Sequence, residues 1–528
     1  MRKKERETAE NYQRRCDKMG IQSSVNNDIK ERAMAYYMGI DLGTSSVKAL
    51  LMREDGIVVD TVQAGYDILK PEQQYAEQDM EILWDAAKQT IRSLFAQHSN
   101  LKDEIRGVGY SGQMHGLVMI DKEGRLLRNA IIWADQRTGE TISQIYAKVP
   151  EDEYRSISLN SLSTGFLVTS LMWVKENEPS LYEKIDKIML PKDYLRYRMC
   201  GELGTDLSDA SGTAVFDTAR RDWAWDLIER LDLDRKIFVP CHEAHETAGV
   251  SSLKCEEETG LKAGTSLVYG GGDSMMQAVG NGLIEPGLLC ANIGTASQLS
   301  CCVKRPIHDS RYRTNTFCHS VQDAWILMGA NLSGGVALKW LKENILEMRS
   351  FDEMSRLAET ALAGSGGLLF LPYLNGERTP YHDPEAKGIY HGLTLKHTRA
   401  ELIRSTMEGI VFALRNSFDI FEEMSVGCDR IIASGGGARG RLFRQIQADV
   451  FGVEIYTNQI KEQACVGAAV TAAVGTGGYG SYEEACERIV KMEEEIVQPD
   501  LERQKIYRER YEAYKELYPR NRGSFART

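Results

Sequence analysis

The amino-acid sequence predicts an α/β fold, because strand-like and helix-like stretches alternate along the chain. In the opening unit, the strand-like runs 36–42 and 47–52 flank a polar turn, and a helical apolar stripe follows within 80–95. The run IRGVGYS then predicts another strand. A later run, 288–300, repeats the opening hairpin, with Gly294-Thr295 in the place of Gly43-Thr44. We therefore expect two related lobes that face each other across a cleft.

Composition limits the classes of function. The chain has 528 residues, more than one hydrophobic core usually holds, so at least two domains are expected. A formal net charge of -12 provides no basic stripe, which argues against nucleic acid and anionic membranes as partners. Eleven scattered cysteines, no signal peptide and no apolar run of bilayer length predict a cytoplasmic protein. Residues 1–33 are highly charged and predict a disordered or frayed helical extension.

The opening hairpin has the composition of a phosphate-binding turn. Gly43 lets the backbone approach a bulky anion, and Thr44, Ser45 and the turn N–H groups can donate hydrogen bonds to phosphate oxygens. Asp41 ends the first strand, where its carboxylate would repel a phosphate unless a cation lay between them. This arrangement indicates Mg²⁺ held largely through water, although an ordinary hairpin has the same local sequence.

Polar residues at strand ends indicate a ligand pocket. Gln113, His115 and Asp135 follow predicted strands, and ligands of α/β sheets collect at the carboxyl ends of strands. Three glycines, 270–272, precede Asp273, and their lack of side chains clears space for a ligand beside its carboxylate. The alternative for Asp273 is a helix N-cap after a glycine turn. These candidates contain no arginine cluster, so a neutral ligand is favoured over an acidic one.

The second hairpin and a later glycine turn complete the predicted nucleotide site. A gapless comparison sets Asn292 against Asp41 and Ser297 against Ser46, so only the first hairpin keeps a carboxylate. The turn 435–440 satisfies G-x-G-x-x-G and raises the alternative of a Rossmann site for NAD or FAD. Its late position favours instead a nucleoside lying over bare glycine backbone. No Walker P-loop sequence is present.

Two helices are predicted near the carboxyl end. Residues 464–473 are almost all small, so this helix must pack very close to a neighbouring element. The last helix starts at about Leu501 and carries Tyr507, Tyr511, Tyr514 and Tyr518 at helical spacing, which predicts a stripe that faces the core.

Several motifs in order resemble those of one family. MGIDLGTSSVK resembles a first phosphate motif, NIGTASQ a second, and SGGGARGRLFRQIQAD an adenosine motif. From Tyr36 to the carboxyl end, the chain resembles the FGGY carbohydrate kinases of the actin, Hsp70 and hexokinase superfamily. This resemblance implies two ribonuclease H-like lobes with ATP in the interlobe cleft. It implies an extension over 1–35, a lobe over 36–283 with the sugar site, and a lobe over 284–528.

The resemblance also implies roles for individual residues. It makes Asp273 the catalytic base and Asp41 the residue near Mg²⁺ and the γ-phosphate. The implied sugar site contains Gln113, Met114, His115, Trp133, Asp273 and Ser274. The implied nucleotide site contains Thr44, Ser45, Thr295, Gly335, Lys339, Gly436 and Gly440. Two features depart from the family's usual pattern: Ser274 replaces an Asn or Gln, and Thr169-Ser170 replaces a Pro-Lys pair.

The activity implied by the resemblance is ATP-dependent phosphorylation of a neutral ketose. SGQMHG, LVYGGGD and FLPYLNGERTP are most similar to those members that act on D-xylulose. The alternatives are ribulose, another ketose or polyol, and a non-catalytic ATP-binding protein of the same superfamily. The implied ligands are ATP, Mg²⁺ and a small sugar, and the family resemblance suggests a homodimer.

Overall fold

The structure is a computed structural model, and it describes residues 34–525. Residues 1–33, which hold most of the predicted charged extension, and residues 526–528 lie outside the described residues. Residues 36–525 belong to one compact unit of mixed helices and strands. Within the described residues, no helix is both long and apolar enough to cross a membrane.

The strands are short and numerous. They are β1 Tyr36–Leu42, β2 Ser46–Arg53, β3 Val58–Gly65, β4 Glu77–Gln78, β5 Ile105–Gly112, β6 Val118–Ile120, β7 Ala130–Ile131, β8 Lys187–Met189, β9 Thr205–Asp206, β10 Phe216–Asp217, β11 Asp222–Trp223, β12 Cys241–His242, β13 Thr247–Val250, β14 Ser266–Val268, β15 Gly271–Gly272, β16 Gly287–Ile293, β17 Ser297–Val303, β18 Asn315–Cys318, β19 Trp325–Asn331, β20 Leu369–Leu371, β21 Ile389–His391, β22 Cys428–Gly435 and β23 Ile455–Tyr456.

The helices separate these strands. They are α1 Met80–Gln97, α2 Gly139–Lys148, α3 Glu151–Ser158, α4 Leu167–Asn177, α5 Pro179–Tyr182, α6 Pro191–Cys200, α7 Leu207–Ser211, α8 Trp225–Arg230, α9 Leu253–Thr259, α10 Asp273–Gly280, α11 Gly335–Trp340, α12 Phe351–Ala358, α13 Arg399–Glu423, α14 Arg441–Phe451, α15 Gln463–Gly475, α16 Tyr482–Ile489, α17 Leu501–Lys515 and α18 Leu517–Phe525. Short 3₁₀ turns cover Ser99–Glu104, Arg235–Ile237, Ser365–Gly367 and Gly436–Ala438, and Leu341–Ile345 is a π-helical turn.

The first sheet gathers the predicted site residues at one edge. Its strand order is β13-β14-β5-β1-β2-β3, and β15 also pairs with β5. β1 and β2 form the predicted antiparallel hairpin, and β5 returns parallel to β1 after the crossover through α1. Asp41 pairs with Ser111, and Ser111 pairs with Gly271 two residues before Asp273. The carboxyl ends of β1, β5 and β15 therefore meet at the same place.

The second sheet repeats this topology. Its order is β18-β19-β17-β16-β22-β23, with β16 antiparallel to β17 and parallel to β22. The pair next to the turn is Leu42 with Val47 in the first hairpin and Ile293 with Ser297 in the second. Ser297 thus takes the place of Val47, and the gapless match to Ser46 is wrong because the second turn is one residue shorter.

The predicted tyrosine stripe is confirmed as part of the core. Tyr507, Tyr511, Tyr514 and Tyr518 are buried on α17 and α18. The ring of Tyr514 lies 5.4 Å from that of Phe412 on the long helix α13, which is buried along most of its length. The hydroxyl of Tyr507 donates to the carboxylate of Glu408 at 2.9 Å, so this tyrosine packs its ring in the core and still has a hydrogen-bond partner for its hydroxyl group.

Helix α15 packs on the first sheet with backbone against backbone, as its small residues predict. A Cβ atom on Gly39 of β1 would lie 1.9 Å from the carbonyl oxygen of Cys465, and one on Gly109 of β5 would lie 1.9 Å from that of Ala468. On the side facing α10, a Cβ atom on Gly467 would lie 1.8 Å from the carbonyl oxygen of Met276. These separations leave no room for a side chain.

We expect Gly109→Ala to lower the thermal unfolding midpoint by at least about 5 °C, because the added methyl group must push α15 away from β5. Gly427→Ala is the matched control, since a Cβ atom there has no neighbour within 4 Å. Differential scanning fluorimetry of both variants measures the effect. Equal midpoints for the two variants would contradict the close-packing interpretation.

Candidate active site

A cavity of about 400 Å³ is lined by residues from both sheets and their loops. The elements of the first sheet contribute Asp41, Met114, His115, Trp133, Phe166, Asp273, Ser274 and Gln277. The elements of the second contribute Asn292, Ala296, Gln298, Asn315, Phe317, Met328, Ala330 and Arg378. Five of the six residues predicted for the sugar site therefore line one cavity, and the exception is Gln113.

Asp273 is the first residue of α10, directly after the glycine strand β15. Its Oδ1 accepts hydrogen bonds from the backbone N–H of Ser274 at 2.6 Å and from the Ser274 hydroxyl at 3.2 Å. Burial, and secondarily the nearby charge of Asp41, raise the pKa of Asp273 to about 7. Gly270 has a φ of +77° and lies against the carbonyl of Tyr110, where any other residue would clash.

Asp41 lies at the end of β1 and faces the same cavity. The hydroxyl of Ser111 donates to its Oδ1 at 2.6 Å, and among residues 34–525 this is the one hydrogen bond that its carboxylate accepts. Burial raises the pKa of Asp41, while the Ser111 hydrogen bond and the charge of Lys48 lower it. Its Oδ2 is left available to a ligand or to a hydrated cation.

His115 is fixed as a neutral acceptor. It has a φ of +74°, which is uncommon for a residue with a side chain. Its Nδ1–H donates to the carbonyl oxygen of Gly212 at 2.5 Å, and its ring stacks on Phe166 with centroids 4.2 Å apart. Burial lowers the pKa of His115 to about 4. Its Nε2 therefore carries a lone pair at neutral pH and can accept a hydrogen bond from a ligand hydroxyl group.

Trp133 connects the cavity wall to the first hairpin turn. Its indole N–H donates to the hydroxyl of Thr44 at 3.0 Å. The backbone carbonyl of Thr44 accepts from the side chain of Gln78 at 2.7 Å, and Gln78 in turn accepts from Gln113 at 2.6 Å. Gln113 does not line the cavity: it is buried and supports the turn through Gln78, so its predicted contact with the sugar stays a prediction. Gln78 lies on a two-residue strand and gave no sequence signal.

The remaining residues of the two turns are held by backbone hydrogen bonds. The carbonyl oxygen of Ser45 accepts from the N–H of Tyr66 at 3.0 Å. In the second turn, the carbonyl oxygen of Thr295 accepts from Gly334 at 3.0 Å, and that of Gly294 accepts from Gly335 at 2.7 Å. The loop before α11 therefore clasps the second turn, and nucleotide binding by Gly335 stays a prediction.

A second cavity, of about 570 Å³, lies beside the glycine turn of β22. Gly436 lines it, together with Lys48, whose ammonium group pairs with Glu462 at 2.5 Å. Gly440 does not line this cavity but precedes α14 as its N-cap. Lys339 lies on an exposed face of α11. The structure thus places Gly436 at this cavity and Gly440 at its margin.

Asp135 is not a pocket residue. Its carboxylate accepts hydrogen bonds from the backbone N–H of Ala76 at 2.7 Å and from the guanidinium of Arg137 at 2.8 Å. Both side chains are buried. The expectation that it faces a ligand is wrong, because the charge of Arg137, two residues later, satisfies it internally.

A buried charge cluster supports the glycine strand, and it was not predicted from the sequence. The ammonium group of Lys192 lies 2.6 Å from Asp193 and 2.8 Å from Asp206, and all three side chains are fully buried. Asp206 accepts from the backbone N–H of Ser208 at 2.7 Å, and the hydroxyl of Ser208 accepts from the N–H of Gly272 at 3.2 Å. This chain of contacts holds the residue that precedes Asp273.

Comparison with known proteins defines the class of this molecule. The N-terminal domain model of the FGGY family of carbohydrate kinases matches residues 36–280, and the C-terminal domain model matches residues 291–476. The molecule is a sugar kinase with a mixed α/β fold, and the predicted fold class is confirmed. The chain belongs to the FGGY family of carbohydrate kinases.

Individual relatives cover nearly the whole chain. It is 34% identical over 488 residues to the xylulose kinase of Bacillus subtilis (strain 168), an alignment that covers 92% of this chain and 97% of that protein. The crystal structure of a xyloylose kinase from Brucella ovis is 31% identical and superposes with a TM-score of 0.87, covering 92% and 99% of the two chains. A gluconate kinase structure from Lactobacillus acidophilus, 24% identical, has a TM-score of 0.88 and covers 94% and 100%. The fold therefore does not select the sugar.

We expect Asp273→Asn to stabilise the ligand-free protein, because it removes a buried charge. The pKa of Asp273 rises from an ordinary value of 3.8 to about 7 on folding, so the folded state binds more protons than the unfolded state between these values. Wild-type stability then falls as pH rises from about 4 to about 7 and is constant above. The gain in thermal midpoint from the substitution should grow over the same interval.

Scanning fluorimetry from pH 4 to pH 8, in EDTA and without nucleotide, measures this gain. Asp67→Asn, at an exposed position, is the matched control. A gain that stays constant with pH would refute the raised pKa of Asp273.

Proposed function

We propose that this chain transfers the γ-phosphoryl group of ATP to D-xylulose and forms D-xylulose 5-phosphate. The observation that carries the proposal is the carboxylate of the half-buried Asp273, which faces a cavity of sugar size beside Met114 and His115. The similarity to xylulose kinases over almost the whole chain supports the choice of sugar.

Asp273 acts as the general base in this proposal. A hydroxyl oxygen of the sugar attacks the γ-phosphorus, its proton passes to Asp273, and the bond between the γ-phosphorus and the β,γ-bridging oxygen breaks so that ADP leaves. A base with a pKa of about 7 is suited to accept that proton near neutral pH. His115 accepts a hydrogen bond from a second hydroxyl and orients the sugar.

The nucleotide lies between the two hairpins in this proposal. Thr44, Ser45 and Thr295 hold the phosphates together with the N–H groups of their turns, and the nucleoside lies along Gly436. We further propose that residues 36–283 and 284–528 form the two lobes, with the nucleotide in the cleft between them.

Asp41 fits a magnesium site of the kind that kinases use. It offers one half-buried carboxylate whose Oδ2 accepts no hydrogen bond from the described residues, and Mg²⁺ commonly binds to one or two carboxylates, several waters and substrate phosphates. Asp41 would hold Mg²⁺ through water, and the ion would neutralise phosphate charge. Ser111 keeps the Asp41 carboxylate in this orientation.

A panel of ketoses and polyols tests the proposed sugar. We expect ADP release, measured in a coupled assay, to be fastest with D-xylulose, with D-ribulose, L-ribulose, glycerol and gluconate as comparisons. The hydroxyl of Ser274 is hydrogen-bonded to Asp273, so this position gives the sugar fewer contacts than the usual Asn or Gln. A higher kcat/KM for any other member of the panel would refute D-xylulose as the substrate.

We expect Asp273→Asn to lower kcat by about 10²- to 10⁴-fold, because an amide cannot accept the hydroxyl proton. ATP binding, measured by isothermal titration calorimetry, should be unchanged. In the wild type, kcat/KM should rise as pH increases through about 7 and then level, since only the ionised carboxylate accepts the proton. Near-normal turnover in the variant would refute Asp273 as the base.

A further inference from the structure

Arg378 lies where the sugar cavity approaches the second hairpin turn. It lines the cavity together with Ala296 of that turn and Ala330 at the end of β19. The backbone on either side of Arg378 is fixed. The N–H of Thr379 donates to the carbonyl of Ala330 at 2.9 Å, and the carboxylate of Glu377 accepts from the N–H of Leu332 at 2.9 Å. The residues that follow Leu332 clasp the turn itself.

The guanidinium of Arg378 has no anionic partner within 34–525. Among residues 34–525, no carboxylate forms an ion pair with it and no side chain accepts a hydrogen bond from it. The adjacent Glu377 directs its carboxylate to the backbone N–H groups of Leu332 and Arg378. Burial also raises the pKa of Glu377 to about 8, so this group carries little negative charge at neutral pH. An unpaired cation in a largely enclosed site is costly unless a ligand supplies an anion.

The cavity already contains two carboxylates, Asp41 and Asp273, and a neutral sugar adds no charge. The reaction changes this balance. When the sugar hydroxyl loses its proton to Asp273, the carboxylate becomes neutral, and the sugar oxygen gains a phosphate ester of about two negative charges. Negative charge therefore moves from Asp273 to the new ester, at the boundary between the cavity and the phosphate turns. Arg378 lies in the wall at that boundary.

We propose that Arg378 donates hydrogen bonds to the oxygens of the phosphoryl group as it passes to the sugar, and to the phosphate of the product. A guanidinium suits this task because its fork of N–H donors matches phosphate geometry. The inference rests on the proposed function for the place of the reacting hydroxyl beside Asp273. Arg378 lies within the motif FLPYLNGERTP, but the resemblance gave this side chain no role.

The test compares Arg378→Gln and Arg378→Lys with Arg220→Gln, an exposed control whose side chain is 83% accessible. We expect Arg378→Gln to lower kcat by about 10²- to 10³-fold, as the loss of one oxyanion donor does. The Kd for D-xylulose 5-phosphate, measured by calorimetry, should rise at least tenfold, while the Kd for D-xylulose should change less than twofold. Arg378→Lys should fall between Gln and wild type because it keeps only a point charge.

An effect on sugar binding alone would overturn the proposal. A raised Kd for D-xylulose with unchanged kcat and product affinity would make Arg378 a ground-state sugar ligand. Fluorimetry controls for folding, and the part of the chain that the structure describes gives the Arg378 side chain no hydrogen-bond or ion-pair partner whose loss should unfold the protein. If the wild type ignores D-xylulose but phosphorylates another ketose, the proposed sugar fails. The Arg378 variants are then compared on that ketose and its phosphate ester. Failure of the proposed sugar is thereby distinguished from failure of the proposed role of Arg378.

Discussion

The close packing of helix α15 is the constraint on which the rest of the site depends. This helix comes late in the chain, yet its backbone lies directly on β1 and β5 of the first sheet and on α10. β1 ends in Asp41 and α10 begins with Asp273. Because each of these contacts has a glycine on one side, the strand and the helix that carry the two carboxylates pack directly against the backbone of α15.

The site holds the carboxylates of Asp41 and Asp273 near each other and away from bulk solvent, an arrangement that costs free energy on folding. Ser111 and Ser274 each give one carboxylate a hydrogen bond, but burial still raises both pKa values. The surrounding structure stabilises the strained arrangement. Lys192 and Asp206 brace the glycine strand before Asp273, and Trp133 braces the turn after Asp41. Such an excess of acidic charge is useful where a hydroxyl proton and a cation must be bound.

Local patterns in the sequence predicted the parts of this molecule that depend on local chemistry. The paired Gly-Thr turns, the small-residue helix and the glycines before Asp273 each require a particular residue type at a fixed place, and the structure has all three. The family and fold class followed from the same motifs.

The sequence could not predict which polar groups meet across the fold. Asp135 and Gln113 follow strands as pocket residues do. In the structure, Asp135 instead accepts from Ala76 and Arg137, and the amide N–H of Gln113 donates to Gln78. Gln78 had no motif to mark it, and Arg378 lies within FLPYLNGERTP, a motif that gave this side chain no role. The roles of these residues and of Lys192 arise only when separate segments come together. The one-residue slip at Ser297 arises from turn length, which a gapless comparison does not detect.

The fixed tautomer of His115 also limits which ligand groups can face it. Its Nε2 and the ionised carboxylate of Asp273 both only accept protons, so a ligand that spans them must present two hydroxyl groups. The carbonyl oxygen of an open-chain ketose satisfies neither. A single backbone contact to Gly212 thus makes this part of the cavity a place for hydroxyl groups and not for a carbonyl oxygen.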